Sequence, residues 1–175
     1  MHIIIRKLIK WSRLAILLLL LSFVFVFSSC TPPTLYFNYK DNPDKVIAVE
    51  LFTYEVSETE KEAKYAKVLP FEFSRCTLQE KLPVEEIENF IFEIDGFNFY
   101  YAHNEGGVPF NQGVCLTYES GRFEVISWGL VQSKIALFVC VYDENCQPLG
   151  EGYVGIDSFT LLAVFSNFFE TKIEI

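Results

Sequence analysis

The feature that most constrains this chain lies at its start. Arg6, Lys7, Lys10 and Arg13 form a basic stretch with no acidic partner, residues 14–27 are apolar apart from Ser22, and Ser28-Ser29-Cys30 ends the run. A basic head, an apolar middle and a small-residue end are the three parts of an export signal. A helix that crosses a bilayer needs about 20 apolar residues to span roughly 30 Å of hydrocarbon. This run is shorter and gives way to small polar residues and then Pro32-Pro33. It is expected to direct export and then be removed, so that the folded part of the chain begins after Cys30. An uncleaved signal anchor is the alternative, if residues 3–5 and 8–9 join the span.

Phe27-Ser28-Ser29-Cys30 resembles the lipobox of bacterial lipoproteins, the site read by the type II signal peptidase. The resemblance implies cleavage between Ser29 and Cys30 and a diacylglyceryl group on the Cys30 thiol. It also implies attachment to the cell membrane on its extracytoplasmic side. Ser28 and Ser29 are small enough for a peptidase that must accept an extended chain, while Phe27 stands where the family usually has leucine. One acyl chain anchors only marginally, and each further buried methylene adds about 0.8 kcal/mol, so a doubly acylated Cys30 would hold the protein on the membrane.

Removal of residues 1–29 takes four of the 14 basic residues and none of the 23 acidic ones, which leaves ten against 23 and a formal charge of −13. Nucleic acid is excluded as a partner, because displacing counterions from phosphates needs clustered Lys and Arg. The same charge is repelled by anionic headgroups and favours cations, basic peptides or neutral glycans as ligands. The remaining 146 residues have the length of one domain and enough aromatic side chains to fill a core. Residues 30–44, with Pro32, Pro33 and Pro43, read as the lipidated cysteine and a short stiff tether, and residues 45–175 as a single domain.

Within that domain the apolar pattern changes period several times. Residues 46–54 alternate as a strand does, and residues 68–73 resume that pattern and are expected to pair back onto it. Residues 83–94 switch to helical spacing through Val84, Ile87, Ile91 and Ile94 with Phe90 alongside, opened by Pro83 and two glutamates and stopped by Asp95-Gly96. Residues 97–102 read as a strand, and residues 113–118 and 123–128 as a hairpin turned at Gly121. Residues 135–142 form a nearly continuous apolar run, as expected of a strand covered on both faces, and residues 151–154 a short return strand. Leu161, Leu162, Phe165, Phe168 and Phe169 recur at helical spacing after Asp157 and Ser158, either of which could cap. The expected fold is α+β, an antiparallel β-sheet with two helices packed on one face. The order of these elements loosely resembles that of small bacterial lipoproteins to which no activity attaches.

Candidate chemistry is sparse. His103 is the one histidine left after processing, in His103-Asn104-Glu105-Gly106-Gly107. It reads first as a polar residue at a strand end, and a dyad with Glu105 or a distant thiol is the sharper alternative. No nucleophile, zinc-protease, Walker or dinucleotide motif is present, so no catalytic residue, metal or cofactor is assigned. Asp143, Glu144, Asn145 and Glu151, and likewise Asp41, Asn42 and Asp44, could offer oxygen ligands to calcium. They lack EF-hand spacing and are what turns select anyway. Phe97, Phe99 and Tyr101 share a strand face and read as core, which leaves Tyr100 as the aromatic free to meet a glycan or protein. Cys76, Cys115, Cys140 and Cys146 allow three disulfide pairings, and Cys115 and Cys140 read as buried apolar residues. The chain is therefore expected to be a membrane-anchored, non-catalytic binding module, with Tyr100, His103 and Glu105 as candidate ligand contacts. The alternatives are a cell-envelope enzyme that assembles His103, Glu105 and Cys76, or a structural envelope protein.

Overall fold

The computed structural model describes residues 34–57, 69–103, 110–131, 133–150, 152–157 and 159–173. All of these belong to the second of two units into which the chain divides, residues 33–175. The strands are β1 (Thr34–Tyr36), β2 (Val46–Tyr54), β3 (Cys76–Lys81), β4 (Asn98–His103), β5 (Gln112–Tyr118), β6 (Phe123–Val131), β7 (Lys134–Tyr142) and β8 (Tyr153–Asp157), and the helices are α1 (Val84–Ile94) and α2 (Thr160–Phe168). The strands form one sheet in the order β1-β4-β8-β7-β6-β5-β2-β3, and every neighbouring pair is antiparallel. The fold is α+β. Among the described residues no helix is long and apolar enough to cross a membrane.

Short turns explain the central run of strands. Gly121, at φ +86°, closes the tight link between β5 and β6, where the Tyr118 N–H donates to Arg122 O and the Gly121 N–H to Tyr118 O. Pairing then runs in register from Phe123↔Tyr142 to Val131↔Lys134 between β6 and β7. Residues 135–140 of β7 are all buried, the expected result for an unbroken apolar strand. Gly113 is where β5 needs a missing side chain, since a Cβ there would sit 2.8 Å from the Phe52 ring and 2.9 Å from Ile126 O.

Strand parity divides the core in two. Val49 and Leu51 of β2, Val114 and Leu116 of β5, Ile126 and Trp128 of β6, and Ile135, Leu137 and Val139 of β7 share one cluster with the buried residues of both helices. Phe90 of α1 stacks on Phe165 of α2 at 5.8 Å and meets the edge of Phe168 at 5.2 Å. The opposite parity, Phe52 and Tyr54, Cys115, Phe123 and Val125, and Phe138, Cys140 and Tyr142, forms a second cluster with Phe71. The Phe71 N–H donates to Cys146 O, which ties this plug to the turn after β7.

Four expectations are corrected. Residues 34–44 are not a free tether, because Thr34–Tyr36 pairs with β4 and Phe37 and Tyr39 are buried. The described part of 68–73 is not a strand: Pro70 has no N–H for a ladder, Phe71 turns inward, and β3 pairs with β2 instead. β3 carries no strand signal in the sequence because it is an edge strand with most residues exposed and no apolar alternation. Asp157 is not the cap of α2, and Ser158 lies outside the described residues. Asp157 ends β8 paired with Ile135, and the cap position falls on Phe159, at φ +72° with no side-chain bond. The α1 stripe is as expected at Ile87, Phe90 and Ile94, but Val84 is exposed.

Phe90→Ala should destabilise the domain by about 3–5 kcal/mol, because a fully buried ring packed on three others leaves a cavity. Phe92→Ala, on the exposed side of the same helix, should change stability by no more than about 0.5 kcal/mol. Urea unfolding of both variants checks the pair, and equal effects would refute the assigned helix face.

Candidate functional site

Glu124 sits on the core-facing parity of β6, between Leu116 of β5 and Val141 of β7, and only 7% of it is exposed. A carboxylate there loses water on every side, so its oxygens must find donors. The Tyr39 hydroxyl donates to Oε1 at 2.8 Å and the Tyr118 hydroxyl to Oε2 at 2.9 Å. Tyr118 comes from the partner strand of the hairpin. Tyr39 comes from the segment that leaves β1, held in place because its N–H donates to Asp95 Oδ1 at 2.7 Å just past α1. These residues line a cleft of about 380 Å³ together with Phe37, Val139, Val141, Leu149 and Tyr153.

One cation stands at the rim. The Arg122 guanidinium lies 4.5 Å above the Tyr118 ring, and its Nη2 donates to Asn42 Oδ1 at 3.1 Å. Its Nε is 2.7 Å from Asp44 Oδ2 but poorly aligned for a hydrogen bond, so the contact is an ion pair by proximity. The Ser120 hydroxyl and N–H also donate to Asp44, at 2.5 and 3.0 Å. The Ser120 hydroxyl bond is the main reason the Asp44 carboxyl is held below its ordinary range, with Arg122 adding to it. For Glu124 burial dominates and raises the pKa, while the two tyrosine bonds and Arg122 oppose the rise. Burial beside Glu124 pushes the Tyr39 and Tyr118 hydroxyls well up in turn.

The residues singled out from sequence are not gathered here. Tyr100 and His103 lie in β4, Tyr100 paired with Thr34 and Ile156 and His103 with Val154. Ser29, Cys30, Glu105 and Glu151 fall outside the described residues. Cys76 is on β3, six strand steps from His103, or roughly 29 Å along the sheet at about 4.8 Å per step. The four described thiols are unpaired, and burial pushes Cys76 up to about 11, Cys140 to about 11 and Cys115 to about 12. Such thiols stay protonated at neutral pH and are weak nucleophiles. Asp143 Oδ1 accepts from the N–H groups of Asn145 and Gln147, and Asn42 Oδ1 from that of Asp44, so both acidic runs close turns. Among the described residues no group of three or more His, Cys, Asp or Glu converges as a metal site would.

Comparison with protein families, curated proteins and solved structures finds no match to this chain. Sequence reasoning missed Glu124 although its signal was present: it is an acid on the same parity as Ile126 and Trp128, diagonal to a hairpin tyrosine.

The raised Glu124 pKa fixes a pH dependence. The folded state holds that proton more tightly than the unfolded chain, so the contribution to stability is present in acid. It is lost as pH climbs past the ordinary carboxylate range through the raised value. Glu124→Gln has the same shape and no charge to bury. Its melting temperature should match wild type near pH 4 and exceed it increasingly towards about pH 8, and a difference that does not vary with pH would contradict the assignment.

Proposed function

We propose that this chain is a lipid-anchored extracytoplasmic lipoprotein whose domain is a non-catalytic binding module, with the Glu124 cleft as its ligand seat and both helices packed on one face of the sheet. The observation that carries the reading is a cleft of about 380 Å³ built around a desolvated carboxylate. Cavities of roughly 300–1,000 Å³ with apolar walls and a few converging polar groups are the usual form of small-ligand sites. The raised thiol of Cys76, and the strand separation of Cys76 from His103, favour binding over the nucleophilic alternative. The shared cluster of helix and strand side chains supports the one-face arrangement.

The anchor is inferred from the sequence pattern that ends at Cys30. Only residues 31–33 separate Cys30 from β1, and four chain steps of at most about 3.6 Å reach roughly 14 Å. A domain on that short a leash stays beside the bilayer, and its formal charge of −13 after processing keeps it from lying flat on anionic lipid.

Cys30→Ser should abolish incorporation of labelled fatty acid and leave the chain uncut before residue 30, as read by metabolic labelling and intact mass. Retained label, or a wild-type protein carrying its own Met1, would overturn the anchored reading.

A further inference from the structure

The floor of the cleft is rich in acceptors and poor in donors. An ionised carboxylate offers about four lone-pair positions and no hydrogen. Two on Glu124 are taken by Tyr39 and Tyr118. Since that group can only accept, both phenolic hydrogens point at it, and each phenolic oxygen keeps lone pairs for a further donor. The nearest cation does not fill the gap, because Arg122 lies over the Tyr118 ring and is engaged by Asp44 and Asn42. Among the described residues Glu124 has no cation in hydrogen-bond contact, although burying an unpaired carboxylate is costly.

We propose that the cleft binds a small primary alkylammonium ion, its N–H groups bonded to Glu124 and the two phenolic oxygens and its short hydrocarbon tail laid along Val139, Val141 and Leu149. The inference rests on the cleft being the ligand seat and names what sits in it. An ammonium supplies both things the floor lacks, hydrogens and positive charge. An anion would meet Glu124 and an acidic domain, and a neutral molecule would leave the buried charge unmatched. A volume of about 380 Å³, part of it open to solvent, suits a tail of a few carbons.

The proposal has a pH signature. Among the described residues Tyr39, Tyr118, Tyr153, Arg122, Asp44, Asp95, Cys115 and Cys140 are the charged or titratable groups around Glu124 or lining its cleft. Burial pushes Tyr39, Tyr118, Cys115 and Cys140 up, and the Ser120 hydroxyl bond brings Asp44 down, so Glu124 is the group touching the ammonium that gains charge as pH rises from acid. Binding should therefore strengthen with pH.

Titration of the full chain in uncharged detergent micelles with n-butylammonium, n-butanol and butyrate, followed by calorimetry at about pH 5 and about pH 8, tests this. The expected result is saturable binding of butylammonium alone, tighter at the higher pH. Glu124→Gln should weaken it by about tenfold or more and remove the pH dependence. Leu149→Trp, at an exposed position on the rim, should block binding while leaving the melting temperature nearly unchanged. If Glu124→Gln fails to fold, the wild-type pH dependence and Leu149→Trp decide. Butanol or butyrate binding as well as butylammonium, with Leu149→Trp still blocking, would overturn the ammonium assignment and keep the cleft as a ligand seat. No binding of any probe would overturn both.

Discussion

A strand that is apolar on both sides cannot leave either face in water. Residues 135–140 of β7 are buried without a break, and so are the paired positions of β5 and β6 from Val114 to Leu116 and from Glu124 to Ile126. At about 25 cal/mol per Å² of apolar surface, exposing one face of these strands would cost more than the whole stability of an ordinary domain. The rest of the molecule is arranged to cover them. One cluster is completed by side chains of the helices, the other by Phe71 and the turn that carries Cys146. Loops do part of the work that helices do elsewhere, which is why short segments such as 69–73 hold large buried rings.

The cleft opens where the first of these covers ends. At that end of β5, β6 and β7 the lid is the segment that contains Phe37 and Tyr39, and the turn that carries Leu149 also lines the cleft. Under this lid a leucine on the inward parity would be the stable choice, as at neighbouring Leu116. The chain instead carries Glu124, which loses several kcal/mol of hydration and recovers only part of it from two hydroxyls. Gln112 and Ser127 are buried too, but among the described residues Glu124 is the one buried carboxylate, and its place beside a cavity marks that position as something other than packing.

Most of the sheet could be read from the chain. β2 has the predicted ends, the hairpin turns at Gly121, β7 is the continuous apolar run, and α1 and α2 fall where the period becomes helical. The elements that could not be read were set by partners far away in sequence. β3 has no apolar alternation of its own and is a strand because β2 offers it an edge. Three-residue β1 is too short to show a period. The site was half legible: Glu124 and Tyr118 are diagonal neighbours in a hairpin, six residues apart, but Tyr39 lies 85 residues from Glu124 in a stretch whose prolines suggest a spacer.

That stretch belongs to the folded domain. The residues that read as a spacer are the first strand of the sheet, one wall of the cleft and one of the two donors to Glu124. The domain therefore begins at about residue 33, not at residue 45. Tyr39 can reach Glu124 because its N–H and that of Lys40 bond Asp95 Oδ1 at the end of α1, and because Asn42 and Asp44 engage Arg122 and Ser120 on the hairpin. These contacts fasten the lid at both ends, so a pull on residues 31–33 meets the β1–β4 ladder before it reaches the cleft wall. The order of the chain, short strand and then lid, thus ties the cleft wall to the sheet on one side and to α1 and the β5–β6 hairpin on the other.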